Sequence, residues 1–160
     1  MKNLIVYASR YGCTADCAKE LASLLTTETE VLDIAKQSEI DLKNYDRVIV
    51  GSSVYMGQIN KKIKKFCEDR KEELMGKVLV LFICSGIPEN FRDVIVANFS
   101  DDIQEHAIEV AYFGGRLDFS RMTFIDKAIA GLMAKQKGQN KPVVEINEAA
   151  IREMAQRLNN

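Results

Sequence analysis

Residues Leu4-Ile5-Val6-Tyr7-Ala8 form an unbroken apolar run that passes directly into Ser9-Arg10-Tyr11-Gly12-Cys13-Thr14 and then into a segment of helical period from Ala15 to Leu25. A run without polar alternation suits a strand buried on both faces, which is the situation in a parallel sheet covered by helices. The order of strand, small polar loop and helix builds an anion site. The loop sits where the helix offers unpaired backbone N–H groups and the positive end of its dipole. Ser9 and Thr14 add hydroxyl donors, Gly12 permits a close backbone approach or a positive φ, and Arg10 brings charge to the rim. The loop has neither the Gly-Lys-Ser/Thr of a Walker A motif nor the spaced glycines of a dinucleotide fingerprint. A phosphomonoester held without metal or lysine is the remaining reading.

The same rhythm recurs along the chain. Strands are expected at Glu30 to Ile34, partly alternating and hence near a sheet edge, at Arg47 to Gly51, at Lys77 to Cys84, and at His106 to Phe113. Helical periodicity marks Cys13 to Leu25, Asn60 to Met75, Glu89 to Phe99, Arg121 to Lys135 and Ile146 to Leu158, with a surface loop over Gln136 to Pro142. Five strands alternating with helices imply a doubly wound α/β domain spanning residues 1–160, with right-handed crossovers. Ligands of such sheets bind beyond the carboxyl ends of the strands, where the winding reverses. The loops after strands one, three and four therefore carry the function.

Composition narrows the partners. A net charge of −1 with scattered Lys and Arg gives no footprint for nucleic acid, and the cluster Lys61-Lys62-Lys64-Lys65 reads as a solvated helix face. No small-residue cleavage site follows the first strand, and no apolar stretch nears the roughly 20 residues of a membrane span, so the cytoplasm is the expected compartment. The four cysteines, Cys13, Cys17, Cys67 and Cys84, lack the paired spacing of a zinc site and read as reduced thiols. Cys13 and Cys17, four apart at a helix start, also admit a redox-responsive reading.

The loop after strand three is Ser52-Ser53-Val54-Tyr55-Met56-Gly57-Gln58-Ile59, and that after strand four is Ser85-Gly86-Ile87-Pro88-Glu89-Asn90. They offer hydroxyls, backbone amides and one aromatic ring rather than a catalytic triad, which suits a flat heteroaromatic ring bearing carbonyls and N–H groups. A flavin has that character.

SRYGCT after strand one, VGSSVYMG after strand three and CSG at the end of strand four resemble a flavodoxin-like family with an FMN site. The resemblance implies a five-stranded parallel sheet of order 2-1-3-4-5 with helices on both faces. It also implies that Ser9, Arg10, Tyr11, Gly12, Cys13 and Thr14 wrap the FMN phosphate. Ser53, Val54, Tyr55, Met56 and Gly57 would flank the isoalloxazine, with Tyr55 stacked on it and the Met56-Gly57 carbonyl facing the reduced ring. Cys84, Ser85 and Gly86 would face the pyrimidine edge. No side chain is assigned as a catalytic acid or base.

The chain lacks the acidic balance with which a flavodoxin shuttle steers toward basic partners. Ala111 to Phe119, Met122 to Lys127 and Leu132-Met133, together with Asn44 to Gly57, are similar to the flavodoxin-type protoporphyrinogen oxidase family. That resemblance implies electron transfer through FMN to a quinone or other small acceptor, with a porphyrinogen as substrate in heme biosynthesis. A single-electron shuttle between redox proteins and a non-catalytic anion- or flavin-binding module are the alternatives.

Arg116 and Lys127 stand as contacts for an anionic substrate or as solvated charges, and His106 as a structural residue. The helix from Arg121 to Lys135 admits a core, lid or membrane-leaning role, which would add a peripheral place at the inner membrane face. Its apolar positions 122, 125, 129, 132 and 133 fit the core best.

Overall fold

The structure is a computed structural model and describes residues 1–37, 39–116, 120–136 and 145–160. In chain order the elements are β1 (Lys2–Ala8), α1 (Cys13–Leu24), β2 (Glu28–Asp33), β3 (Arg47–Tyr55), β4 (Gln58–Ile59), α2 (Lys61–Asp69), α3 (Lys71–Met75), β5 (Val78–Cys84), α4 (Phe91–Asn98), α5 (Asp101–His106), β6 (Glu109–Tyr112), α6 (Phe124–Gln136) and α7 (Glu148–Asn159). The five long strands pair in parallel in the order β2-β1-β3-β5-β6. With the short β4 set aside, this is the expected 2-1-3-4-5 arrangement, and β2 lies at the expected edge. The winding reverses between β1 and β3, and the loops after β1 and β3 leave the sheet on either side of that point.

Strand alternation divides the core into two layers. Leu4, Val6, Val48, Val50, Leu79, Leu81 and Ile83 face α2 to α5, packing with Ile63, Phe66, Leu74, Val94 and Ile103. Ile5, Ile49, Val80 and Phe82 face the opposite side, where Cys17 and Leu21 of α1 and Ile151 and Met154 of α7 cover them. Both faces are dry, so the strand sequences show no polar alternation. Gly51 lies beside Phe82 in the β3–β5 register, and a Cβ there would run into the Phe82 ring, which stacks on Phe113 at 4.6 Å.

Three expectations are corrected. The single helix from Asn60 to Met75 is two, interrupted at Arg70, whose guanidinium donates to the Ile40 carbonyl at 2.9 Å. His106 and Ala107 do not begin a strand. Asp101 and Asp102 sit in a first helical turn, where acids favour the helix dipole, and buried Ile103 anchors α5 before the chain enters β6. Ser52 to Tyr55, expected in a loop, extend β3, and residues 58–59 of the same expected loop form β4 antiparallel to its end. The expected turn over Leu117-Asp118-Phe119 and residues 137–142 of the expected surface loop lie outside the described residues. Among the described residues no helix is long and apolar enough to cross a membrane.

Candidate functional site

The carboxyl ends of β1, β3 and β5 open into one cleft of about 1000 Å³. Ser9, Arg10, Tyr11, Cys13 and Thr14 line it from the first loop, and Ser53 to Gly57 from the second. Cys84, Ser85 and Gly86 line it from the third. Gly12 is not itself on the wall, but it turns the first loop into α1. Three segments far apart in sequence thus meet where the sheet topology places ligands.

In the first loop Gly12 has φ +93°, a left-handed conformation that glycine adopts without penalty, and its N–H donates to the Ser9 hydroxyl at 2.9 Å. No side chain among the described residues caps α1, which leaves the amides of its first turn facing the loop. The Thr14 hydroxyl is fully buried there without a hydrogen-bond partner among the described residues. A buried hydroxyl left in that state costs on the order of 1–3 kcal/mol, a cost that an anion seated on the loop removes. A Cβ at Gly12 would meet the guanidinium of Arg121, so that side chain lies against the loop together with Arg10. A guanidinium, that of Arg121, meets a helix N-terminus and an orphaned hydroxyl at the first loop, while the Arg10 guanidinium is turned to Asp126.

The second loop is a hairpin. Met56 (φ +50°) and Gly57 (φ +75°) are both left-handed between the paired residues Tyr55 and Gln58, as a two-residue type I′ turn requires. Asn98 of α4, buried in the core, pins the turn. Its amide donates to the Gly57 carbonyl at 2.9 Å, and its carbonyl accepts from the Ile59 N–H at 3.2 Å. Met56 is 70% exposed at the tip.

The third loop is braced from β6. The Tyr112 hydroxyl donates to the Ser85 carbonyl at 2.5 Å, and the Ser85 N–H donates to the Gly114 carbonyl at 2.9 Å. Gly115 crosses so near Ser85 that a Cβ would lie 2.6 Å from the Ser85 carbonyl oxygen. Burial pushes the Tyr112 phenol up to about 12, so it remains a donor at neutral pH.

Helix α6 departs from its expected role as core. Ile125 and Leu132 are 72% and 63% exposed, while Met122 and Ile129 line the cleft; the Met133 side chain lies outside the described residues. What docks the helix is polar. Asp126, 3% exposed, accepts from the Tyr55 hydroxyl at 2.6 Å and from the Arg10 guanidinium at 2.9 Å. The same guanidinium lies 3.8 Å from the Tyr55 ring centroid, so one face of that ring is already covered.

A model of the flavodoxin domain matches residues 4–143. The chain belongs to the flavodoxin domain family. It is 24% identical over 147 residues to protoporphyrinogen IX dehydrogenase [quinone] of Escherichia coli strain K12, an alignment covering 86% of this chain and 81% of that protein. A short-chain flavodoxin associated with a bacterial microcompartment superposes with a TM-score of 0.62 at 17% identity, covering 99% of this chain and 96% of the other. A Lactobacillus acidophilus flavoprotein solved in complex with FMN gives 0.55 at 22% identity over 79% and 97% of the two chains. The oxidised Bacillus cereus flavodoxin 1 gives 0.55 at 21% identity over 76% and 90%. FMN is the cofactor of this family.

Flavodoxin-domain residues that sequence reasoning passed over are Asn98, Tyr112, Arg121 and Asp126. The first two lie in elements distant from the binding loops, Arg121 in the turn before α6, and Asp126 on a helix whose apolar spacing pointed toward the core. Arg116 lines the cleft and pairs with Asp16, whereas Lys127 is exposed and not on the cleft wall. His106, bonded to the Lys77 carbonyl at 2.8 Å, sits at the opposite, amino end of the sheet, as a structural residue would. The fold also gathers Cys13, Cys17 and Cys84, which the linear spacing leaves apart. Hydrogen bonds from Cys17 and Cys84 hold the Cys13 thiol well below its ordinary range, while both partners are pushed upward.

Proposed function

We propose that this chain binds FMN noncovalently in the cleft and acts as an oxidoreductase that carries electrons from a reduced small molecule, of the porphyrinogen class, to a quinone-type acceptor. The observation that carries the reading is the buried, unpartnered Thr14 hydroxyl at the uncapped start of α1, with the Arg121 guanidinium against Gly12. These groups match a phosphate in charge and in hydrogen-bonding sense, since every one of them donates. When bound, FMN supplies a ring that takes up and releases electrons, and the protein positions and tunes it.

The chain's own residues then have distinct tasks. Thr14 and the first amides of α1 orient the phosphate, the Ser9–Gly12 hydrogen bond shapes the loop around it, and Arg121 adds positive charge beside Gly12, while Arg10 stays paired with Asp126. The Met56-Gly57 turn, held from behind by Asn98, presents backbone to the ring edge without relying on a mobile side chain. The free face of Tyr55 offers a stacking surface, and Cys84, Ser85 and Gly86 close the far side. Asp126 holds α6 over the opening, which excludes water from the cleft. Arg116, at the rim, suits the carboxylates of a porphyrinogen. The near-neutral net charge of −1 favours a small substrate over the charge-steered protein partners of a shuttle.

The reading is tested by loading the protein with FMN and following anaerobic oxidation of protoporphyrinogen IX with and without a quinone. Quinone-dependent porphyrin formation that Thr14→Val suppresses supports it. Flavin that binds but is reduced only by protein partners would favour the shuttle.

A further inference from the structure

The sulfurs of Cys13, Cys17 and Cys84 lie within 4.8 Å of one another, and all three residues are buried at 8%, 0% and 4% exposure. They come from two elements that the sheet brings together: Cys13 and Cys17 sit one turn apart on the inner face of α1, and Cys84 ends β5 beneath them. From the residues and distances alone, we propose that this triad is a soft-metal site, in which three thiolates hold one monovalent copper ion directly under the floor of the flavin cleft.

The geometry favours that ion over harder ones. Three sulfurs sharing an ion at about 2.3 Å stand roughly 4 Å apart, so small side-chain rotations close the site. Thiolates select soft ions, and no carboxylate or imidazole among the described residues joins the cluster. Three ligands complete a trigonal site for copper(I) but leave zinc short of its tetrahedral fourth. Binding releases to solvent the protons of those thiols that are not already ionised and forms three copper–sulfur bonds, with no change in oxidation state. The resulting negative charge is met by the N-terminus of α1, whose first residue is Cys13. Cys13 and Cys84 both line the cleft, which supplies the entry path. Cys67 lies in the other core layer, across the sheet, and serves as an internal control.

The test uses the reduced, anaerobic protein, titrated with copper(I) against a coloured copper(I) chelator both before FMN is supplied, with the cleft open as the entry path, and after FMN loading. One ion per chain is expected, with an ultraviolet thiolate-to-copper band and a shell of three sulfurs by X-ray absorption. Cys13→Ser, Cys17→Ser and Cys84→Ser should each weaken binding by at least about tenfold, and Cys67→Ala should leave it unchanged. A wild-type protein that yields all its copper to the chelator overturns the proposal. So does a shell of fewer than three sulfurs, or a loss of binding that tracks Cys67. The absorption measurement on unmodified protein decides the matter even where a serine variant fails to fold.

Discussion

The Tyr55 hydroxyl donates to the Asp126 carboxylate at 2.6 Å, joining the end of β3 to α6 across 71 positions of sequence. Arg10 completes the junction from the first loop, so a single buried carboxylate ties two walls of the cleft to the helix above it. The outer face of α6, with Phe124 92% exposed, contributes little apolar burial to hold it in place. The helix is therefore held by hydrogen bonds to a charged group, each contributing about 1.5–3 kcal/mol.

Asp126→Ala should release α6 without unfolding the sheet. Hydrogen exchange over residues 124–136 should rise by at least about tenfold, with Tyr55→Phe giving a smaller rise because the Arg10 contact survives. Unchanged exchange in the alanine variant would show that packing, not the carboxylate, holds the helix.

Thr14→Val keeps the shape of the side chain but removes the orphaned donor. FMN affinity should fall roughly 10- to 100-fold, the worth of a hydrogen bond to a charged group, while thermal stability stays level or rises. Calorimetric titration of the variant with FMN and with riboflavin checks the assignment. Phosphate-free riboflavin should bind wild type and variant alike.

Gly51→Ala addresses the fold itself. The added methyl has to displace the Phe82 ring from its stack on Phe113, at an expected cost of about 1–3 kcal/mol in chemical denaturation. Gly57→Ala, where a Cβ meets nothing, should disturb only the turn conformation.

Tyr45 links stability to alkaline pH. Burial, together with its 2.6 Å hydrogen bond to Glu30, raises its phenol from the ordinary 10.0 to about 12. The native state thus keeps a proton that the unfolded chain begins to lose near pH 10. This contribution is fully present below pH 10 and is lost as the pH climbs toward 12. Stability measured across that window should decline less steeply in Tyr45→Phe.

The sheet was legible because β1, β3 and β5 are buried on both faces and therefore carry no polar interruptions. The first loop was legible because small residues between a buried strand and a helix leave few other uses for that segment. What escaped the sequence depends on tertiary context. Positions 122, 125, 129, 132 and 133 have core spacing, yet Met122, just before α6, and Ile129 on it line the cleft while Ile125 and Leu132 stay in water, since the anchor of α6 is the polar Asp126. The Met56-Gly57 hairpin needs a positive φ at a methionine, which local preference disfavours and Asn98 enforces from α4. The thiol triad joins residues 13 and 84, a separation that no spacing rule reaches.

The most direct test of the account is to express the protein without added cofactor, record its visible spectrum and identify whatever chromophore denaturation releases. FMN is expected near one equivalent per chain, or its uptake to that level when FMN is supplied. A colourless protein that refuses added FMN would contradict it, leaving a flavodoxin sheet whose cleft serves some other anion.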